Sequence, residues 1–498
     1  MNVNPITRLD YPDPDVIRVE DTYYMVSTTM HFMPGCEILQ SFDLVHWEHV
    51  TYVYETLDHT DAQQLKSGQN IYGQGMWAAS LRYHEGRFYI CFVANDTRKT
   101  YLYTSEKIDG PWKKQLIEGF YHDGSLLFDE DGRNYIVYGN DEIWITELNE
   151  DLTAPKKDGL HRLLVSDHKN PELGYEGSHI QKINGYYYIF LVHSLRDRWM
   201  RTEACFYSDS LEGEFTGGDV LCDDRGYCGQ GVAQGGIVDT PDGKWYAMLF
   251  QDSGAVGRIP ILLPVTWKDH FPVFGQNGHV PEEIEVHSTR PGYIYQPLVG
   301  SDDFCNGLLP RWQFNHDPDP RYYHLDALQG TYTITTREVC TELTQAVNTL
   351  TQRMSYPSCA AEVTVDASAL KEGDVAGLCA LQGCYAAVGI TKHHGKYEVL
   401  MLDKKEDGIL DMTEGTVVES HQMDFRLEAD FCNMKDEARC YYRVNKGDWL
   451  PIGTVHKLYF KLDHFTGCRF GLFCYAAEET GGSACFRDFK YYDVDETS

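Results

Sequence analysis

The sequence predicts an all-β chain, a five-bladed β-propeller followed by a C-terminal β-sandwich. Three observations predict it. A β-hairpin pattern of alternating residues, tight polar turn and aromatic-rich return occurs five times in the first half of the chain. Each copy is followed by more β-like sequence and a second turn signal, leaving room for about four strands per unit, the content of a propeller blade. From about Ser301 onward strands continue without that signature, with turns at sandwich spacing.

The hairpin is clearest in EGSHIQKINGYYYIF, Glu176 to Phe190. Ile180 and Lys182 alternate, Asn184-Gly185 supplies the turn, and Tyr186, Tyr187 and Tyr188 lead into an apolar strand. With one aromatic of each return as an anchor, the copies fall on Tyr24, Tyr89, Tyr135, Tyr188 and Tyr246, at spacings of 65, 46, 53 and 58 residues. That period is irregular but blade-sized. Stretches such as SFDLVHWEHV, TSEKIDGPWKKQLI and YSDSLEGEF supply the outer strands.

In a propeller the first strand of each blade lines the central axis, so equivalent positions converge on one face. Twelve residues before the anchor stand Trp77, Asp123, Glu176 and Gln234. In the first unit, read as having a turn one residue shorter than the other four, a step of eleven lands on Asp13. One aspartate at the start of a strand is ordinarily a turn residue satisfying its own backbone. Three acids in one register, with Trp and Gln in the remaining places, read as a pocket.

The 498 residues suffice for two substantial domains. Lys plus Arg number 43 against 75 Asp plus Glu, a net charge of −32, which argues against nucleic acid or anionic membranes as partners and suits a neutral ligand. No apolar run of membrane-spanning length occurs. The 15 cysteines are an odd number, scattered without metal-type or disulfide-framework spacing. The N-terminus runs into the first blade without a basic or apolar leader. These features predict a reducing, cytoplasmic setting.

The runs NPITRLDYPDPDVIRVEDTYYMVSTT, GMWAASLRYHEGRFY, HDGSLLFDEDGRNY, YEGSHIQKINGYYY and QGGIVDTPDGKWYAMLF resemble glycoside hydrolase family 43, whose members are five-bladed propellers. The last two hundred residues resemble the concanavalin-like β-sandwich appended in its β-xylosidase and α-L-arabinofuranosidase branch. With the looser HSTRPGYIYQPLVGSDDF read as a linker, the expected domains are a catalytic propeller over 1–295 and a sandwich over 296–498.

Blade one opens at Asp10-Tyr11-Pro12-Asp13-Pro14-Asp15, where flanking prolines stiffen the backbone and preset an extended conformation. By resemblance Asp13 is the general base; Asp10 and Asp15 are local rivals. The loop after the returning strand offers His31 and Phe32 as sugar contacts or as plain loop packing. Blade two places Trp77 to stack on a sugar, wall the pocket or pack in the core. In blade three Asp123 matches the family's third acid, which orients the general acid and raises its pKa by like-charge repulsion. In blade four Glu176 matches the general acid, with Glu172 its rival outside the register. Blade five has Gln234, a candidate sugar contact, where many relatives carry a metal-holding His, which puts an axial calcium in doubt. The loop after the fifth hairpin offers Arg258 for a sugar hydroxyl, for the carboxylates or for a structural salt bridge.

The sandwich carries His393-His394 at a hairpin tip, more in keeping with a solvated turn than a metal pair. Asp302, Asp303 and the terminal DFKYYDVD leave a structural calcium open. No cofactor is expected for the chemistry. Blades one and four lie across the axis from each other, which favours the wider carboxylate separation of an inverting glycosidase; the resemblance implies inversion too. A pocket closed by the sandwich implies exo action, releasing α-L-arabinofuranose or β-D-xylose from an oligosaccharide, with a slight preference for the former. A non-catalytic sugar-binding propeller would keep the aromatics but not require all three acids. A transferase or phosphorylase would need an anion site, for which only Arg258 is a candidate. Oligomeric state stays open.

Overall fold

The structure, a computed structural model, describes residues 2–461 and 464–493. Val494 and Asp495 of the terminal DFKYYDVD lie outside them. Five antiparallel four-stranded sheets follow one another along the chain, four of them built from consecutive strands and the first skipping only the short strand Phe32–Met33. Their inner strands are Asp15–Val19, Met76–His84, Ser125–Phe128, Glu176–Ile183 and Val232–Asp239. The anchor tyrosines of blades three to five are buried, and each contributes roughly 1.5–3 kcal/mol through burial. Those of blades one and two are half-buried, Tyr24 beside the core between blades one and two and Tyr89 beside the core between blades two and three.

Adjacent inner strands splay too far apart to share a ladder, so side chains take up the free backbone N–H groups on their edges. Leu81 N–H donates to Asp15 Oδ2 at 2.7 Å, Leu126 N–H to Ser80 Oγ at 3.1 Å and Ile180 N–H to Ser125 Oγ at 3.0 Å. The ring is closed at its ends by Asn2–Val3 paired with Glu283–Ile284. The Asn4 amide also imitates a strand there, donating to Leu262 O at 2.7 Å and accepting Leu262 N–H at 3.1 Å.

The turns differ from the expected register. Blades one, two and four share two-residue turns, at Glu20-Asp21, Glu85-Gly86 and Asn184-Gly185, whereas blades three and five carry longer ones. A constant step of twelve therefore mixes two positions. Bulges interrupt the inner hairpins at Met76/Ala79, Glu176/His179 and Ala233/Gly236. Blades one and three show the same extra residue, where Thr28 N–H reaches Pro12 O and Gly139 N–H reaches His122 O. The equivalent bulged positions are Asp13, Asp123, Gly177 and Gln234, with φ of 53°, 48°, 67° and 64°. Glu176 stands one residue earlier, and Trp77 lies within the Met76/Ala79 bulge itself. Asp13 is thus left-handed, not extended: the bulge overrides the flanking prolines.

The second half forms a nine-stranded and a seven-stranded sheet facing each other over a large apolar core. Phe32–Met33, from the loop after blade one's returning strand, joins the edge of the larger sheet by pairing with Gln313–Asn315. Arg353 of the sandwich reaches Glu37 of blade one at 2.8 Å. His393 and His394 sit at an exposed hairpin tip, and Asp302 spends its carboxylate on Phe304 N–H and the Trp312 indole. Among the described residues no helix is long and apolar enough to cross a membrane.

Candidate active site

The bulges aim their side chains at one end of the propeller axis. Asp13, 3% exposed, accepts the Thr28 hydroxyl at 2.5 Å through Oδ2 and Arg258 Nη1 at 2.7 Å through Oδ1. Thr28 follows the returning strand Thr22–Val26 of the same hairpin; Arg258 opens the third strand of blade five. The Arg258 guanidinium continues to Asp252 at 3.2 Å, whose other oxygen takes Arg201 Nε at 3.1 Å. Burial alone would raise Asp252, but Arg201 and Arg258 outweigh it and hold the carboxyl below its ordinary range. Arg258 is sandwiched between Phe250 and Phe465, 4.6 and 4.3 Å from their ring centres.

On the opposite side, His122 Nε2 stands 3.5 Å from Asp123 Oδ2 and 3.4 Å from Glu176 Oε2. Asp123 also accepts Gly177 N–H at 2.9 Å, and Glu176 accepts Asn140 Nδ2 at 2.8 Å. Gly177 is required: a Cβ there would lie 2.7 Å from Gln234 Cγ, at a φ that strains other residues. Burial lowers the basicity of His122, but Asp123 and Glu176 reverse that and raise it to about 9. Asp123 is pushed up to about 6, by burial first and then by Glu176 and Asp13, against the pull of His122. Glu176 runs opposite to expectation. Burial raises it, but the His122 bond and charge, with Arg201 and Arg258, bring it below its ordinary value. The adjacent imidazolium outweighs like-charge repulsion, so in the free protein the proton rests on His122 rather than on Glu176.

Trp77 forms a wall, edge-on to His122 at 5.9 Å and to Phe465 at 5.2 Å. Phe465 comes from the sandwich, which closes this side. Gln234 is buried behind Gly177, its own N–H fixed by Glu203 at 2.7 Å. The rivals fall away: Asp15 binds Leu81 N–H and Arg82, Glu172 is exposed, and Asp10 faces backbone amides of Arg258 and Gly467. His31 and Phe32 are not at the pocket surface. At 0% and 1% exposure they pack in the seam with the sandwich, against His316 and under Arg469, because their loop is drawn into the sandwich sheet. A cavity of about 410 Å³ lies further down the axis around Arg18, Arg82 and Lys182, away from the acids.

His122, Asp123 and Glu176 offer ligand atoms within 4.8 Å of one another, a spacing a metal ion could bridge. A metal ion there would have to displace the proton that Asp123 and Glu176 favour on His122.

Residues 3–272 match the family model "Glycosyl hydrolases family 43". The chain belongs to that family. Residues 301–492 match the "Beta xylosidase C-terminal Concanavalin A-like domain". This family 43 glycosidase is 27% identical over 555 residues to a β-xylosidase of Formosa agariphila, covering 99% of this chain and 89% of that one. It is 24% identical over 540 residues to a xylosidase/arabinosidase of Butyrivibrio fibrisolvens, covering 99% of each. Among solved structures it is similar to a bifunctional GH43-CE protein of Bacteroides eggerthii, at 42% identity and TM-score 0.91, covering 99% of this chain and 64% of that one.

Several residues of the candidate site escaped sequence reading. His122 neighbours Asp123 and was within reach of it. Arg201 and Asp252 lie outside the inner-strand register, and Phe465 arrives from another domain.

Proposed function

We propose that the chain is an exo-acting, inverting glycosidase that releases terminal α-L-arabinofuranose, and β-D-xylose as a second substrate, from hemicellulose-derived oligosaccharides. One observation carries it: Asp13, clamped by Arg258 and Thr28, faces across the axis from the His122–Asp123–Glu176 group. Asp13 takes a proton from the attacking water while Glu176 protonates the leaving oxygen on the other face of the sugar. His122, 3.4 Å from Glu176, holds the proton for that step. A bound sugar desolvates Glu176 further and draws the proton onto it. Asp123 orients the pair, and Trp77 with Phe465 bounds the site to a terminal residue. Two carboxylates carry both proton transfers, so no cofactor is assigned to the chemistry.

The substrate pair follows the relatives, named for xylosidase and for xylosidase/arabinosidase activity, and a 26% identical α-L-arabinofuranosidase of Bacteroides ovatus. Cys36, Cys91, Cys205, Cys359 and Cys379 are buried free thiols, which supports a reducing compartment and hence a small imported substrate. The test is hydrolysis of 4-nitrophenyl α-L-arabinofuranoside and β-D-xyloside by wild type and Glu176→Ala. Turnover that collapses in the variant is expected, and the faster substrate names the activity. No turnover of either by wild type rejects this function.

A further inference from the structure

We propose that Asp10 is a positioning residue: its buried carboxylate clamps the sandwich to the propeller and thereby sets Arg258 against the catalytic base. It lies three residues before Asp13 and is 2% exposed. Oδ1 accepts the backbone N–H of Arg258 at 2.7 Å, and Oδ2 accepts that of Gly467 in the sandwich at 2.8 Å. The main chain tightens the same joint. Tyr11 N–H donates to Arg258 O at 2.9 Å, and Arg353 Nε donates to Asp10 O at 2.9 Å.

Each amide belongs to a segment that matters to the pocket. Arg258 sends its guanidinium to Asp13. Gly467 follows Phe465 by two residues, and that ring covers Arg258 and meets Trp77. The fit around the carboxylate is closed. A Cβ on Gly257 would come within 2.1 Å of Asp10 Oδ1, and one on Gly467 within 1.9 Å of Val256 O. Cys468 N–H to Ala255 O, at 2.8 Å, completes the interlock of the two loops. One side chain with two acceptor atoms therefore fixes, at once, the cation that holds the base and the aromatic wall brought by the second domain. A neutral amide cannot do this: Asn offers one acceptor and turns its NH2 toward the remaining N–H.

The proposal rests on the glycosidase function, and its test separates the two. Asp10→Asn is compared with wild type by hydrogen exchange of the segments around Arg258 and Gly467, and by kcat and KM on the better 4-nitrophenyl glycoside. The expected result is faster exchange at one or both segments and a kcat/KM at least tenfold lower, carried by kcat. Activity within twofold of wild type, or lost activity with both segments still protected, overturns it. Should this variant not fold, Gly467→Ala pushes the joint open from the sandwich side. Faster exchange around Arg258 is then expected, and unchanged exchange there overturns the proposal. If wild type hydrolyses neither glycoside, the glycosidase function fails while the exchange arm still decides the clamp.

Discussion

Replacing His122 with Asn should cost stability in a strongly pH-dependent way. The imidazole titrates at 6.5 ordinarily and at about 9 in the fold, where Asp123 and Glu176 flank it. The folded chain therefore holds an extra proton between those values. The stabilisation is complete below pH 6.5, declines above it and is gone past pH 9. The rise corresponds to roughly 3 kcal/mol, and the side chain, 19% exposed, is screened little by solvent. In a domain of this size that is a Tm difference of about 5–10 °C. Asn removes the cation and leaves Asp123 and Glu176 facing each other. Thermal unfolding of both proteins from pH 6 to 9.5 reads the effect directly. The gap should be largest at pH 6 and nearly closed at pH 9.5. A gap independent of pH would refute the view that His122 carries the resting proton of the site.

Three further outcomes follow from the same geometry. Glu176→Gln keeps the Asn140 contact in reach but cannot donate a proton, so kcat on 4-nitrophenyl glycosides should fall ~10²–10⁴-fold, measured by nitrophenol release. Asp13→Asn should lower kcat by a similar ~10²–10⁴-fold and also lower Tm, because buried Arg258 keeps only Asp252 as a charged partner; differential scanning fluorimetry reads that. Asp123, raised from 3.8 to about 6, is more readily protonated folded than unfolded, so its ionisation costs stability as pH rises through that window. Asp123→Asn should therefore unfold at a higher temperature than wild type at pH 7 while losing turnover, and an unchanged or lower Tm at pH 7 would contradict this.

The propeller was legible because its signals are local. Each hairpin announces itself through a turn and an aromatic return, and the five repeats sum to a closed ring. The register was less legible. A β-bulge adds a residue without any mark in the sequence, so Glu176 and Asp123 read as equivalent although one precedes the bulged position and the other occupies it. Both still face the axis, because the bulge turns two successive residues toward it. The direction of the Glu176 shift was missed for a related reason: the dominant charge beside it is His122, whose ring position follows from the fold of blade three. His31 and Phe32 were misplaced because their loop belongs to the sandwich sheet, a pairing across roughly 280 residues that no local pattern signals. Phe465 and the Asp10 clamp were likewise hidden by distance along the chain, 457 residues in the case of Asp10 and Gly467.

The most direct test is proton NMR of the sugar first released by wild type from 4-nitrophenyl α-L-arabinofuranoside or β-D-xyloside. Asp13 and Glu176 acting from opposite sides of the ring with a water between them predict product of inverted anomeric configuration, appearing before mutarotation. Product of retained configuration would contradict the account, since Asp13 would then have attacked the sugar itself rather than activated a water.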